Sequence, residues 1–133
     1  IHGIGYPEAY GGAGGDISVL GVCAHEFAHI HQFFSGDHAE LASQHDTSKL
    51  VELHADYLSG YFIAQIKKER PSITLQKFGA FLYSIGSYDT DHRDFHGTPD
   101  ERIEAAEQGF RTASLPFATA AVTGKAYVIA HFQ

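Results

Sequence analysis

Residues 17–34 have the sequence ISVLGVCAHEFAHIHQFF, in which apolar residues recur at three- and four-residue spacing. That spacing is the period of an α-helix, and Asp16 after a glycine-rich loop over residues 1–16 is a typical N-cap. We therefore predict a helix over residues 17–34. Its apolar side includes Cys23, which we expect to be buried as a small apolar residue. The apolar positions are Val19, Leu20, Cys23, Phe27, Ile30 and Phe34.

The same stretch contains the pattern HExxH, formed by His25, Glu26 and His29. Side chains four residues apart share one face of a helix, so the two imidazoles could bind a single metal ion. Glu26 lies about 100° around the helix, near enough to take a proton from a metal-bound water. Roughly 0.04 such matches are expected by chance in a chain of this composition. The alternative is a helix with two ordinary histidines.

Zinc in a catalytic site has three protein ligands and one position open for water, so a third ligand is needed. A second helix predicted over residues 48–69 offers Glu52 and Asp56, four residues apart on one face. We predict that Glu52 binds the metal and that Asp56 accepts the other N–H of a ligand imidazole. The small Ala55 between them allows the two helices to approach closely. The alternative is an acidic helix edge in solvent.

Thr98, Pro99 and Glu101 have the pattern of a capping box and predict the start of another helix. His96 lies immediately before that helix start, where it could donate a hydrogen bond to the oxyanion of a tetrahedral intermediate. The alternative for His96 is an ordinary loop histidine. Arg102 on the same helix pairs either with a carboxylate of the site or with its acidic neighbours.

A further helix is predicted over residues 72–84, and the polar residues 37–46 are predicted to be a connection. Residues 114–133 fit either a helix or a short pair of strands. The predicted fold is therefore mainly α. It has four to five helices around the HExxH site, little or no β-sheet, and a single domain over residues 1–133.

Composition narrows the classes of function. The 133 residues carry a formal net charge of −7, which does not suit nucleic-acid binding. One cysteine excludes an internal disulfide and a cysteine-rich zinc site. No apolar run approaches the roughly 20 residues of a membrane span. A chain that begins at Ile1 and lacks methionine is expected to be a processed form or a piece of a longer protein, so its compartment, cytoplasmic or exported, stays open.

Three segments occur in order along the chain: HEFAHIHQ at 25–32, ELHADYLSGYF at 52–62 and HGTPDERIEAAEQGF at 96–110. Together they resemble the bacterial neutral zinc metallopeptidases of gluzincin type, with their HExxH, ELxAD and HG[ST]xxxR segments. The resemblance implies hydrolysis of peptide bonds in a peptide or protein substrate, with one Zn²⁺ ion as cofactor. It implies zinc ligands His25, His29 and Glu52, catalytic base Glu26, Asp56 beside the ligands, and His96 within the third segment.

The chain departs from the resemblance at its start. Zincin peptidases usually have a β-sheet before the HExxH helix, and its edge strand pairs with the backbone of the substrate. Only about 16 residues precede the helix here, and they are rich in glycine. Either the chain is a nearly all-helical member, or the upstream strands lie outside it.

Two other functions fit parts of the pattern. A zinc-stabilised binding module without catalysis would need a fourth protein ligand and has no use for Glu26. A di-iron carboxylate protein is suggested because Glu26 and His29 form an ExxH pair, but such sites need a second one. Ala55, three residues after Glu52, stands where that second histidine would be.

Overall fold

The computed structural model describes residues 12–85 and 97–133, and within those two ranges it contains six helices and no strand. The prediction of a mainly α fold with little or no sheet is confirmed, and residues 114–133 hold a helix rather than strands. The helices are α1 (Gly12–Ser35), α2 (Asp37–Ala42), α3 (Lys49–Glu69), α4 (Leu75–Ile85), α5 (Pro99–Phe110) and α6 (Phe117–Phe132).

The structure differs from the prediction in three ways. The described residues form six helices rather than four to five, and α4 begins at Leu75 rather than at residue 72. Helix α1 begins at Gly12, so the loop expected over residues 1–16 is wrong from Gly12 onward, and Asp16 lies inside the helix. Each glycine costs about 1 kcal/mol in a helix, but extending an existing helix gains a hydrogen bond per residue. The connection over residues 37–46 contains α2, which is too short to show a helical period. Leu41 anchors α2 in the core, where it is fully buried.

Helix α3 is the centre of the protein. Its residues take part in all three clusters of buried apolar side chains, and most of its side chains are buried. The burial extends all around the helix, because every residue from Leu53 to Tyr61 is buried. The α3 residues in the three clusters are Leu50, Val51, Leu53, Ala55, Tyr57, Leu58 and Ile63.

Helices α3 and α5 touch through their backbones. A Cβ atom added to Gly109 would overlap the carbonyl oxygen of Tyr57, and one added to Gly60 would overlap the carbonyl oxygen of Ala106. Only glycine fits at both positions, because any side chain would force the two helices apart. This contact sets how deeply the first turn of α5 reaches toward α3.

The start of α5 is as predicted. Thr98 is the N-cap, its hydroxyl accepts from the N–H of Glu101 at 3.2 Å, and its own N–H donates to Glu101 Oε1 at 2.9 Å. Pro99 is the first helical residue. The reciprocal bonds satisfy two N–H groups that the helix itself cannot, and they fix the direction in which Arg102 leaves the first turn.

Helix α1 faces α3 through small residues. Ala28 is fully buried in one cluster with Ala55, which confirms the close approach expected at Ala55. The prediction that Cys23 is buried is wrong, because it lies on the exposed side of α1. The large apolar residues also point outward, and Phe27 and Phe34 are 53% and 89% exposed. The side of α1 that faces the core instead carries alanines and histidines. The spacing of the apolar residues alone therefore indicated the wrong face of the helix as the buried one.

No helix in the described part of the chain combines the length and the apolar character that crossing a bilayer requires.

We expect Gly109→Ala to lower the free energy of unfolding by at least about 2 kcal/mol, because the new methyl group overlaps the backbone of α3. Gly79→Ala is the matched control. It adds the same methyl group inside α4, where the nearest atom lies 3.9 Å away, and should raise stability by about 0.5–1 kcal/mol. Urea denaturation of both variants measures this difference. Equal effects of the two substitutions would contradict the backbone contact.

Candidate metal centre

Helices α1 and α3 bring three ligand atoms together at one point. His25 Nε2 and His29 Nε2 lie 2.8 Å and 3.3 Å from Glu52 Oε1, and the two nitrogens lie 3.0 Å apart. Ligand atoms around tetrahedral zinc with bonds of about 2.0–2.1 Å are separated by roughly 3.3 Å. Among the side chains that the structure describes, these three residues form the one cluster that could surround a metal ion.

The outer nitrogen of His25 faces a buried carboxylate. His25 Nδ1 lies 3.2 Å from Asp56 Oδ1, and the side chain of Asp56 has no exposure to solvent. A carboxylate only accepts hydrogen bonds, so Nδ1 carries the hydrogen. In the neutral imidazole the lone pair is then on Nε2, which points at His29 and Glu52.

The outer nitrogen of His29 is bonded in a comparable way. The Gln32 amide nitrogen donates to the carbonyl oxygen of Val51 at 3.0 Å, which leaves the amide oxygen 2.8 Å from His29 Nδ1. That oxygen can only accept, so His29 Nδ1 also carries the hydrogen. The lone pair of neutral His29 is therefore on Nε2, as it is in His25.

Three electron pairs thus converge, and they repel one another unless a proton or a cation lies between them. Burial lowers the pKa of His25, but hydrogen bonds and charge attraction from Asp56 and Glu52 outweigh burial and raise it from 6.5 to about 9. Burial raises the pKa of Glu52, yet the two histidines outweigh it and hold the pKa well below its usual range. Two imidazoles and a carboxylate are a ligand set that catalytic zinc uses, and the cluster fits that ion.

Asp56 is also bound on its far side. Arg102 Nε donates to Asp56 Oδ2 at 2.7 Å, and an Arg102 NH2 nitrogen donates to Asp56 Oδ1 at 2.9 Å. The Arg102 side chain is only 4% exposed, so the pair is a buried, bidentate ion pair. Of the two partners predicted for Arg102, the structure selects the carboxylate beside the site. A guanidinium from α5 thereby holds the carboxylate that faces His25.

A cavity of about 430 Å³ opens onto the cluster. Its polar lining includes His25, His29, Glu52 and the exposed Glu26, so Glu26 borders the same cavity as the three candidate ligands. The apolar part of the lining comes from the neighbouring turn of α1 and from α4. The apolar lining residues are Val22, Phe78, Phe81 and Leu82.

Three other histidines, His31, His54 and His96, were also considered from the sequence. His96 lies outside the described residues, while the adjacent Gly97 has a φ of 101° and packs against Leu53. His31 lies on another side of α1 from the cluster, and its Nε2 is 3.8 Å from Asp37 Oδ2. His54, expected to be a core or surface histidine, is fully buried.

Gln32 was not predicted from the sequence, although a signal for it exists. It is three residues after His29 and four after Ala28, so it continues the inward side of α1. A polar amide on a side that faces the core must find partners there. It is fully buried, and its partners are the Val51 carbonyl, His29 and His54.

Comparison of the chain with protein-family models, with curated proteins and with solved structures gives no match. The function of the site is therefore argued from its chemistry.

We expect Arg102→Met to lower the free energy of unfolding by roughly 3–5 kcal/mol, because it removes the bidentate guanidinium partner of the fully buried Asp56 carboxylate. The double variant Asp56→Leu/Arg102→Met removes both charges and should be less destabilised than Arg102→Met alone. Denaturant unfolding of the single and double variants, treated as a mutant cycle, gives the coupling. Effects that simply add would show that the two charges do not depend on each other.

Proposed function

We propose that this protein is a zinc-dependent metallopeptidase with one Zn²⁺ ion bound by His25, His29 and Glu52. The observation that carries the proposal is the convergence of three electron pairs within 2.8–3.3 Å, while both outer imidazole nitrogens are bonded elsewhere. Such an arrangement is costly unless a proton or a cation lies at its centre, and two imidazoles with one carboxylate are a ligand set of catalytic zinc. The proposal also agrees with the resemblance of the HExxH, ELxAD and HG[ST]xxxR segments to neutral zinc metallopeptidases.

A bound zinc ion would lower the pKa of a water molecule toward about 7 and polarise the carbonyl of a peptide bond. Glu26 would be the general base that accepts a proton from the attacking water and returns it to the leaving amine. Asp56, held by Arg102, keeps the hydrogen of His25 on Nδ1. We propose that His96 donates a hydrogen bond to the oxyanion of the tetrahedral intermediate.

Observations at the site favour this function over the two alternatives. A zinc-stabilised module would need a fourth protein ligand, whereas the described side chains provide three beside an open cavity. A di-iron site would need further carboxylates at the centre. Glu26 lies outside the three-residue cluster, and Asp56 is bonded to Arg102 and His25.

We expect the purified protein to bind close to one zinc ion per chain and His29→Ala to lose most of it, because one of three ligands is removed. His31→Ala is the matched control, since it removes another histidine from the same helix away from the cluster. Inductively coupled plasma mass spectrometry after dialysis measures the metal. Full zinc content in His29→Ala would refute the ligand assignment.

We expect Glu26→Gln to keep its zinc and to lose hydrolysis of an unfolded protein substrate by about 10²–10⁴-fold, because the amide cannot accept the proton from water. The measurement pairs the cleavage rate with the zinc content of the same preparation. A wild-type protein that binds zinc but cleaves nothing would favour the binding module. Unchanged cleavage by Glu26→Gln would exclude Glu26 as the base.

We expect zinc binding near pH 7 to release at least about one proton, because the raised pKa of about 9 keeps the metal-free His25 ring protonated there and the pKa of His29 is raised as well. Zinc affinity should therefore fall as the pH decreases and level off above about pH 9. Isothermal titration calorimetry in two buffers of different ionisation enthalpy measures the released protons. Binding heats that do not depend on the buffer would contradict this proton count.

A further inference from the structure

A chain of hydrogen bonds runs from the candidate metal centre to the backbone of α6. His29 Nδ1 lies 2.8 Å from Gln32 Oε1, Gln32 Nε2 lies 2.8 Å from His54 Nδ1, and His54 Nε2 lies 3.0 Å from the carbonyl oxygen of Ala121. Gln32 and His54 are both fully buried. Gln32 lies outside both the HExxH and the ELxAD pattern, and His54 occupies the variable position of ELxAD.

Two backbone carbonyls set the direction of every bond in this chain. The carbonyl of Ala121 can only accept, so His54 carries its hydrogen on Nε2 and has a lone pair on Nδ1. The carbonyl of Val51 likewise requires the amide nitrogen of Gln32, whose second hydrogen goes to His54 Nδ1. The amide oxygen of Gln32 is then left for the N–H of His29. Every polar atom of Gln32 has a partner, and the amide cannot be flipped without losing them.

We propose that Gln32, held in place by His54, is a positioning residue that fixes the tautomer and ring orientation of His29 for metal binding. This inference rests on the proposed zinc function and deepens it, because it makes α6 part of the support of the metal site. His54 acts through Gln32, since the hydrogen bonds of its ring go to the Gln32 amide and the Ala121 carbonyl.

The test is the zinc affinity of the full chain, measured by competition with a chelator, together with the visible spectrum of the Co²⁺-loaded protein. Gln32→Met keeps an unbranched side chain of similar length but removes the acceptor for His29. We expect it to weaken zinc binding by about 10–100-fold and to alter the Co²⁺ spectrum. Ser59→Ala is the matched control. It removes a fully buried hydroxyl of α3 that bonds to the Ala55 carbonyl, and it should leave both readouts unchanged.

Two variants of His54 distinguish a role of its ring in positioning Gln32 from a role in packing alone. His54→Asn retains an oxygen acceptor near the place of Nδ1 and should bind zinc more tightly than His54→Leu, which retains none. In the Gln32→Met background, His54→Leu should weaken zinc binding no further, because the link to His29 is already broken. The comparison of His54→Asn with His54→Leu in the wild-type background also decides the matter if Gln32→Met does not fold.

The outcomes distinguish this inference from the proposed function. A wild-type protein without zinc affinity would refute the metallopeptidase proposal, and the inference with it. A wild-type protein that binds zinc, with unchanged affinity and Co²⁺ spectrum in Gln32→Met or with equal affinity in His54→Asn and His54→Leu, would overturn the inference alone. Additive losses in the double variant would also overturn it.

Discussion

The backbone contact between α3 and α5 is the constraint on which the rest of the structure depends. Gly60 and Gly109 allow it, because each packs against a carbonyl group of the other helix. At that separation the first turn of α5 brings Arg102 onto Asp56, and Asp56 in turn faces His25. The geometry of the candidate metal centre thus depends on two glycines, Gly60 and Gly109, whose lack of a side chain lets α3 and α5 approach each other.

The candidate site combines buried polar groups that would destabilise the protein if they were unpaired. Each candidate histidine ligand has a different support for its outer nitrogen. His25 is held by Asp56 and Arg102, and His29 is held by Gln32 and His54. Four helices therefore contribute to a cluster whose proposed ligands come from only two. A substitution that loosens the packing of α5 or α6 would therefore also disturb the support of His25 or His29.

Local patterns in the sequence predict the inner part of the site well. The four-residue spacings of His25 with His29 and of Glu52 with Asp56 place each pair on one helix face, and the structure brings both faces together. The capping box at Thr98 was equally visible. These features succeed because they depend on helix geometry over one turn.

Features that depend on tertiary packing were harder to predict. The outward side of α1 is the more apolar one, so the burial expected for Cys23 is wrong. The partner of Arg102 depends on the glycine contact between α3 and α5, which no local pattern shows. Gln32 has its role only because His54 and the Val51 carbonyl lie next to it.

The most direct test of the central claim is an anomalous difference map from zinc-loaded crystals, recorded at the zinc absorption edge. The account predicts one peak per chain, bonded to His25 Nε2, His29 Nε2 and a Glu52 carboxylate oxygen at about 2.0–2.2 Å. A peak at other histidines, or none at this cluster in crystals grown with zinc, would contradict it.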